Sequence, residues 1–367
     1  MKDPLPEQDS MPAETVGVVV IGTGPIGKEA LRGVINHPGL ELRGVGVFSA
    51  EKDGVDAGTL CGLPTVGIPA TRDWDSLTSS KPDCIAYFAD GAMRTADAVN
   101  DISEALRSGV NVVTTSLLGA IYPASMTPEL KEPLHDAAIA GGSTLWATGI
   151  DPGFATTQLP LALLAVADTV HAVRLYELGD ISTYPVEWIM HDVYGYGQPL
   201  DFESPLMSAG ILKEWWRGTV EEIAHVLGAE VDDLTFTHEV APTVEGAETA
   251  WGSVAPGTIG AIRFVVTASV NGRPFVTLEH VDRVDPLAGP QWRSPIEAKS
   301  ISYRVEVEGR PAFRAEMSFD RETDYEPGAG ATAMHAVNAI PAVVAAQSGV
   351  LGFRDLPAFY GRRTVGA

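Results

Sequence analysis

Cysteine is almost missing from this sequence of 367 residues. The only two, Cys61 and Cys84, sit among apolar residues without metal-ligand spacing. That excludes a disulfide framework and a zinc site and fits a reducing compartment. Positive charge is scarce as well: 25 basic residues face 48 acidic ones, a formal charge of −23. Such a field repels phosphate backbones and anionic lipid surfaces, so nucleic acid and membranes are excluded as partners. Apolar stretches such as Leu159 to Ala167 fall well short of the ~20 residues that span a bilayer. Residues 1–15 hold three prolines and four acids and no apolar run resembling a signal peptide, and read as a mobile tail of a cytoplasmic protein. His225, His238, His280 and His335 show no metal spacing, so no metal is expected.

What is present is an ordinary globular core, 45% hydrophobic and long enough for two domains. Val16 to Ile21 is an unbroken apolar run suited to a parallel strand covered on both faces. A helix over about Ile26 to Asn36 and a strand from Leu42 to Phe48 complete a βαβ unit. Strands at Cys84 to Phe88, Val110 to Thr114 and Thr144 to Ala147 alternate with helices at about Ala96 to Arg107 and Glu129 to Ala140. Thr127 is the expected N-cap of the latter, before Pro128. The alternation predicts an α/β fold, a Rossmann-type doubly wound parallel sheet over residues 16–150.

The pattern changes after Asp151-Pro152-Gly153. Alternation from Ile262 to Val270, the turn Asn271-Gly272 and the run Phe275 to Val281 predict one hairpin. Ile301 to Val307 and Phe313 to Phe319, around Glu308-Gly309, predict another. Thr219 and Glu222 form a capping box for a helix closing at Gly228. Residues 151–330 therefore read as an α+β substrate and dimerisation domain with an antiparallel sheet. The apolar helix at about Ala331 to Gln347 suits packing of the segment 331–367 back onto the first domain.

The loop Gly22-Thr23-Gly24-Pro25-Ile26-Gly27 follows a buried strand and opens a helix, the context in which a G-x-G-x-x-G pattern binds a dinucleotide. Its glycines permit the tight turn, the approach of backbone to pyrophosphate and the close packing of helix on strand. The acid that takes the ribose hydroxyls of NAD stands ~20 residues further on, at the end of the second strand. There this chain has Phe48 and Ser49. Ser49 and Lys52 suit a 2′-phosphate, so NADP is favoured over NAD, although Lys52 also reads as a plain loop charge.

In combination with that loop, several segments carry a family resemblance. They are Glu51-Lys52-Asp53-Gly54, Gly109 to Thr115, Tyr122-Pro123, Thr148-Gly149-Ile150-Asp151-Pro152-Gly153-Phe154, Tyr194-Gly195-Tyr196-Gly197 and Asn338-Ala339-Ile340-Pro341. Over nearly its whole length the chain resembles the dihydrodipicolinate-reductase-like oxidoreductases, and within them the 2,4-diaminopentanoate and native amine dehydrogenases. The resemblance implies a homodimer, a Rossmann domain completed by a C-terminal helix, and hydride transfer between a nicotinamide and a small amine, imine or ketone. It also implies cofactor contacts from Thr114, Thr115, Ser116 and Asn338. Just after the paired threonines those relatives carry a glutamate thought to bind the ammonia or imine nitrogen; here Leu117 and Leu118 stand in the pocket instead. Leucine neither stabilises an iminium nor accepts a proton, which favours a carbonyl or imine reductase independent of free ammonia. A catalytically silent, NADP-sensing protein is the alternative outside enzymes. The relatives' asparagine before Pro-Gly is replaced by Asp151, as though an acid had moved across the pocket.

Hydride transfer needs a polarised C=N or C=O and a proton source close by. Asp151, Tyr176, Glu177 and His191 are the candidates. Asp151 also suits an N-cap, Tyr176 and Glu177 a surface strand pair, and His191 a solvated position beside Asp192. Tyr122 has a hydroxyl to donate but equally packs on Pro123, and Phe154 belongs either to the core or to an apolar pocket wall.

Overall fold

The computed structural model describes residues 15–91, 94–296, 301–320 and 326–361. The tail at 1–14 and the end of the segment 331–367 lie outside the described residues. The first half runs β1 (Val16–Ile21), α1 (Pro25–Asn36), β2 (Leu40–Gly46), α2 (Ala57–Leu60), β3 (Ala70–Thr71), α3 (Trp74–Ser79), β4 (Cys84–Tyr87), α4 (Thr95–Arg107), β5 (Asn111–Thr114), α5 (Pro128–Gly141) and β6 (Thr144–Ala147). With β15 (Gly349–Leu351), introduced here for its place beside β6, these strands form a parallel sheet in the order β15-β6-β5-β4-β1-β2-β3. The order reverses between β1 and β4, which places a ligand crevice at the carboxyl end of β1. Thr127 precedes α5 as expected, but its side chain makes no cap hydrogen bond.

The remainder runs α6 (Leu159–Leu164), β7 (Thr169–Asp180), α7 (Ala209–Val226), β8 (Asp233–Pro242), β9 (Ala247–Thr249), β10 (Gly252–Val254), β11 (Ile259–Val270), β12 (Arg273–Arg283), β13 (Ile301–Arg310), β14 (Phe313–Phe319) and α8 (Pro327–Val344). Both hairpins form, and the first turns on Asn271 and Gly272 at φ 53° and 70°, the left-handed pair its sequence demands. The second sheet has the order β14-β13-β7-β12-β11-β8. Its pairs are antiparallel except the central one, β7 with β12. The capping box at Thr219 and Glu222 does not start a helix. Ser208 caps α7 instead, accepting from the Ile211 amide, because Leu212, Trp216, Val220 and Ile223 extend the apolar stripe upstream.

Parallel pairing of β7 with β12 and antiparallel pairing of β7 with β13 set these strands in register as rungs. Val307, Val173 and Val276 form one; Val305, Leu175 and Leu278 the next; Tyr303, Glu177 and His280 the third. The first two belong to the core under α7. The third turns polar on the same face.

α8 packs on α1 and β5, and its Ala333, Ala336, Val337, Ile340 and Val343 are wholly buried in the core of the first sheet. Replacing Ile340 by alanine should therefore cost about 2–5 kcal/mol of stability. The exposed Ile139, replaced likewise, should shift stability by less than about 0.5 kcal/mol. Urea unfolding followed by circular dichroism measures both.

Candidate active site

The glycine loop has the stereochemistry of a phosphate cradle. Gly22 has φ 90°, and a Cβ there would meet the Phe88 carbonyl at 2.8 Å; one on Gly27 would meet the Gly22 oxygen at 2.2 Å. Over Gly24, by contrast, nothing lies within 4 Å of a Cβ position. No side chain caps the N-terminus of α1 and no acid stands in its first turn. Its free amides and positive dipole end thus face open space, the arrangement that receives a pyrophosphate. Lys52 Nζ donates to the Thr23 carbonyl and hydroxyl at 3.0 and 3.1 Å. Together with Lys28, Lys52 borders a groove of about 460 Å³ running along Thr23, Gly24 and Pro25. The Glu51 carboxyl is held below its usual range by its own backbone amide and, next, by a hydrogen bond from Ser49.

Beyond this groove, between the two sheets, opens a cavity of about 300 Å³. Ile26, Thr115, Gly149, Ala329 and Thr332 line it from the Rossmann side, where a nicotinamide would reach. Asp151, Glu177, Asp282 and Tyr303 line the opposite side. Leu118, Ile189, Met190, Val193, Trp188 and Trp215 supply apolar wall. Among the described lining residues there are carboxylates but no lysine, arginine or histidine.

The acids are arranged around His280. Its Nε2 lies 2.7 Å from Asp151 Oδ2, and its Nδ1 lies 3.7 Å from Glu177 Oε1 and 3.9 Å from Asp282 Oδ2. The contact is short but not aligned as a hydrogen bond, since Nε2 and Oδ2 both lack a partner in hydrogen-bond geometry. Asp151 Oδ1 accepts from the Thr156 hydroxyl at 2.7 Å and from Trp216 Nε1 at 3.3 Å. The imidazole is 3% exposed, stacked on Phe264 at 4.2 Å and met edge-on by Trp216. The three donors at 151, 177 and 280 lie within 4.8 Å of one another, a trio no sequence spacing announces.

This grouping splits the acids. Burial alone would raise both carboxyls. At Asp151 it is outweighed by the His280 charge and the Thr156 hydrogen bond, which hold the carboxyl below its ordinary range. At Glu177 burial is reinforced by the charges of Asp151 and Asp282 and drives the carboxyl well above its ordinary range. Glu177 therefore holds its proton more tightly than Asp151 does, although the Tyr303 hydroxyl, donating to Glu177, works against that rise. Asp282 is pushed up to about 6 by burial, against the pull of His280. An ionised and a protonated carboxyl side by side are the parts of an acid–base pair.

Of the residues singled out in the sequence, Asp151, Glu177, Leu118 and Thr115 meet at this cavity. Thr114 and Ser116 turn inward and donate to the carbonyls of Tyr87 and Ala89, tying β5 to β4. Leu117 is buried in the Rossmann core, and Asn338 lies on α8 with a buried, unpartnered Oδ1. Tyr176 points to the other face of β7, between the guanidinium groups of Arg293 and Arg304, because strand neighbours alternate. His191 is half exposed and bound to Asp192 at 2.8 Å on the outside of the loop. Tyr122 lies in a separate surface groove with Glu222 and Arg354. Phe154 packs on His335, 5.2 Å between ring centres. His280, Asp282 and Tyr303 were not singled out. The signal available was the inward face of β12, where Val276 and Leu278 give way to His280 and Asp282.

The chain as a whole is similar to known proteins. A profile of the 2,4-diaminopentanoate dehydrogenase C-terminal domain matches residues 154–362. An amine dehydrogenase of Streptomyces virginiae is 34% identical over 346 residues, covering 93% of this chain and 96% of that protein. A 2,4-diaminopentanoate dehydrogenase of Acetoanaerobium sticklandii is 21% identical over 356 residues, covering 94% of each. The structure of an amine dehydrogenase from Mycobacterium smegmatis shares the fold with a TM-score of 0.78, covering 95% of this chain and 98% of that one at 22% identity.

The space over Gly24 separates folding from binding. Gly24→Val adds a side chain that meets no protein atom at its Cβ, at a φ of −71° open to valine. Its melting temperature should match the wild type, while its affinity for NADH and NADPH, titrated by nucleotide fluorescence, should fall at least ~10-fold, or ~1.4 kcal/mol.

Proposed function

The chain belongs to the 2,4-diaminopentanoate dehydrogenase and amine dehydrogenase family and is an NAD(P)-dependent oxidoreductase, and we propose that it interconverts a small, apolar amine with its ketone through the imine, using free ammonia. The observation carrying this reading is the Asp151–Glu177 pair at the acidic wall of a cavity whose other walls are largely apolar. The loop after β5 offers Thr115 and Leu118 there and no carboxyl, yet Glu177 brings a part-exposed carboxyl from the opposite side with the buried Asp151 carboxyl behind it. The objection raised by the missing glutamate thereby loses its force.

When bound, the nicotinamide supplies or receives the hydride at the substrate carbon. Asp151, kept ionised but with its side chain wholly buried behind Glu177, supplies the negative charge that attracts ammonium and then the positive charge of the C=N group. Glu177, kept protonated, gives its proton to the carbonyl oxygen as ammonia adds and water leaves, and it is restored by a proton shed from nitrogen. Ketone and ammonium thus become iminium and water, and hydride addition to the iminium yields the amine. The walls around Trp188, Trp215 and Met190 hold an apolar substituent and exclude water. With no cation among the described lining residues, a substrate carboxylate is repelled, so ketones should be preferred to keto acids. NADP preference belongs to the same proposal and rests on Lys28 and Lys52 beside the glycine loop in a strongly acidic protein. Homodimerisation and a cytoplasmic location are carried by the family resemblance and the composition.

The test follows NADPH absorbance over a panel of apolar ketones with and without ammonium. Turnover should require ammonium, and ammonium-independent carbonyl reduction at equal rate would sink the proposal. Glu177→Gln should lower kcat by ~10²–10⁴. In the wild type, reductive turnover should decline as pH rises through the elevated Glu177 range, where the proton is lost, and as pH falls through the depressed Asp151 range, where the charge is lost. The glutamine variant should lose the high-pH decline. Lys52→Ala should raise the KM for NADPH several-fold more than that for NADH, in initial-rate measurements with both cofactors.

A further inference from the structure

Two carboxyls that share a proton have no intrinsic order: either holds the charge with similar ease unless the surroundings distinguish them. Here the distinction is geometric. His280 sits 2.7 Å from Asp151 and 3.7 Å from Glu177. It is presented by β12 in register with Glu177 on β7, so the strand pairing sets its height, and Asp151 reaches it from the turn that leaves the Rossmann sheet. The groups facing the ring are Asp151 from that turn, Glu177 from β7 and Asp282 from its own strand. Trp216 of α7 and Phe264 of β11 close the remaining sides with carbon and fix the plane of the ring. Arg283, next along β12, turns away to the carbonyls of Ala288 and Gly289. Among the described residues no lysine or arginine forms an ion pair with Asp151 or Glu177.

We infer that His280 is a positioning residue that carries both ring protons and decides which carboxyl does what: its closer approach assigns the negative charge to Asp151 and leaves the transferable proton on Glu177. This rests on the proposed roles of the two acids and adds to them. His280 does not line the cavity, so it acts on substrate only through these carboxyls. It also sets the net charge beside the substrate, since an imidazolium between carboxylates keeps the site from repelling a second negative group within itself while still attracting ammonium.

The consequence is a pH dependence owned by a residue that never touches substrate. In the direction of amine oxidation, activity needs Asp151 ionised, so His280 should hold the low-pH limb of kcat/KM at low pH. Replacing it by a neutral residue removes the charge that favours ionised Asp151, and the limb should move up. We expect His280→Asn and His280→Gln to shift that limb upward by at least one pH unit and to reduce kcat at neutral pH at least tenfold, with the KM for the cofactor unchanged. A packing role alone would lower activity evenly across pH. Nitrogen NMR of the wild-type holoenzyme at neutral pH should show one histidine ring bearing protons on both nitrogens, lost on Asp151→Asn, and this reading stands even where the His280 variants do not fold. A folded variant with a pH profile superimposable on the wild type, or a wild-type His280 ring bearing a single proton, overturns the inference. Glu177→Gln assayed alongside separates the two levels. If it is inactive while His280→Asn is unshifted, only the role of His280 falls; if it is fully active, the acid pair itself is misassigned.

Discussion

A buried ionic contact, Asp151 with His280, is the constraint around which the interior of this protein is arranged. Each charge alone in that setting would cost several kcal/mol in lost hydration, and neither has a lysine or arginine nearby among the described residues. They are stable only as a pair, and the pair exists only if two distant stretches of chain meet. Asp151 stands in the turn that leaves β6 of the Rossmann sheet, whereas His280 stands near the end of β12. Their contact therefore couples the position of the second sheet to that of the first. It also places the acidic floor of the cavity opposite the carboxyl ends of the Rossmann strands.

The neighbouring groups show how a mostly apolar core accommodates this polarity. The rungs below are valine and leucine, closed by α7, so water is kept from the polar rung on that side. Gly179, in register with Asp282, has no side chain, and a Cβ there would lie 3.0 Å from Asp282 Oδ1. Tyr303 completes the rung with a hydroxyl rather than another charge. Low permittivity around these groups amplifies their differences, so a one-ångström disparity in distance to an imidazolium is enough to separate the behaviour of two carboxyls.

The cofactor side is built on the opposite principle. There the chain offers backbone amides and open space over Gly24, with Lys28 and Lys52 as well as Glu29 and Glu326 along the groove. In a protein of formal charge −23, two lysines beside an uncapped helix end offset the acids Glu29 and Glu326 along this groove. The acidic cavity beyond it suits an ammonium or iminium.

By itself the sequence determined the elements and the cofactor chemistry. β1 with its glycine loop, the alternating strands and helices, and both hairpins were legible because hydrophobic period and turn chemistry are local, reaching only a few residues along the chain. Asp151 and Glu177 were legible as candidates because one follows the last Rossmann strand and the other interrupts an apolar run. Their partnership was not, nor was the part played by His280, and Tyr176 and His191 looked equally suitable beside them. Only the tertiary structure decided among these. Strand alternation turns Tyr176 to the far face, an exposed loop carries His191 outward, and the parallel pairing of β7 with β12 sets Glu177 against a residue 103 positions later. Register between strands so far apart is a property of the folded sheet, and the proton affinities of buried groups are set by whichever charges that register brings near.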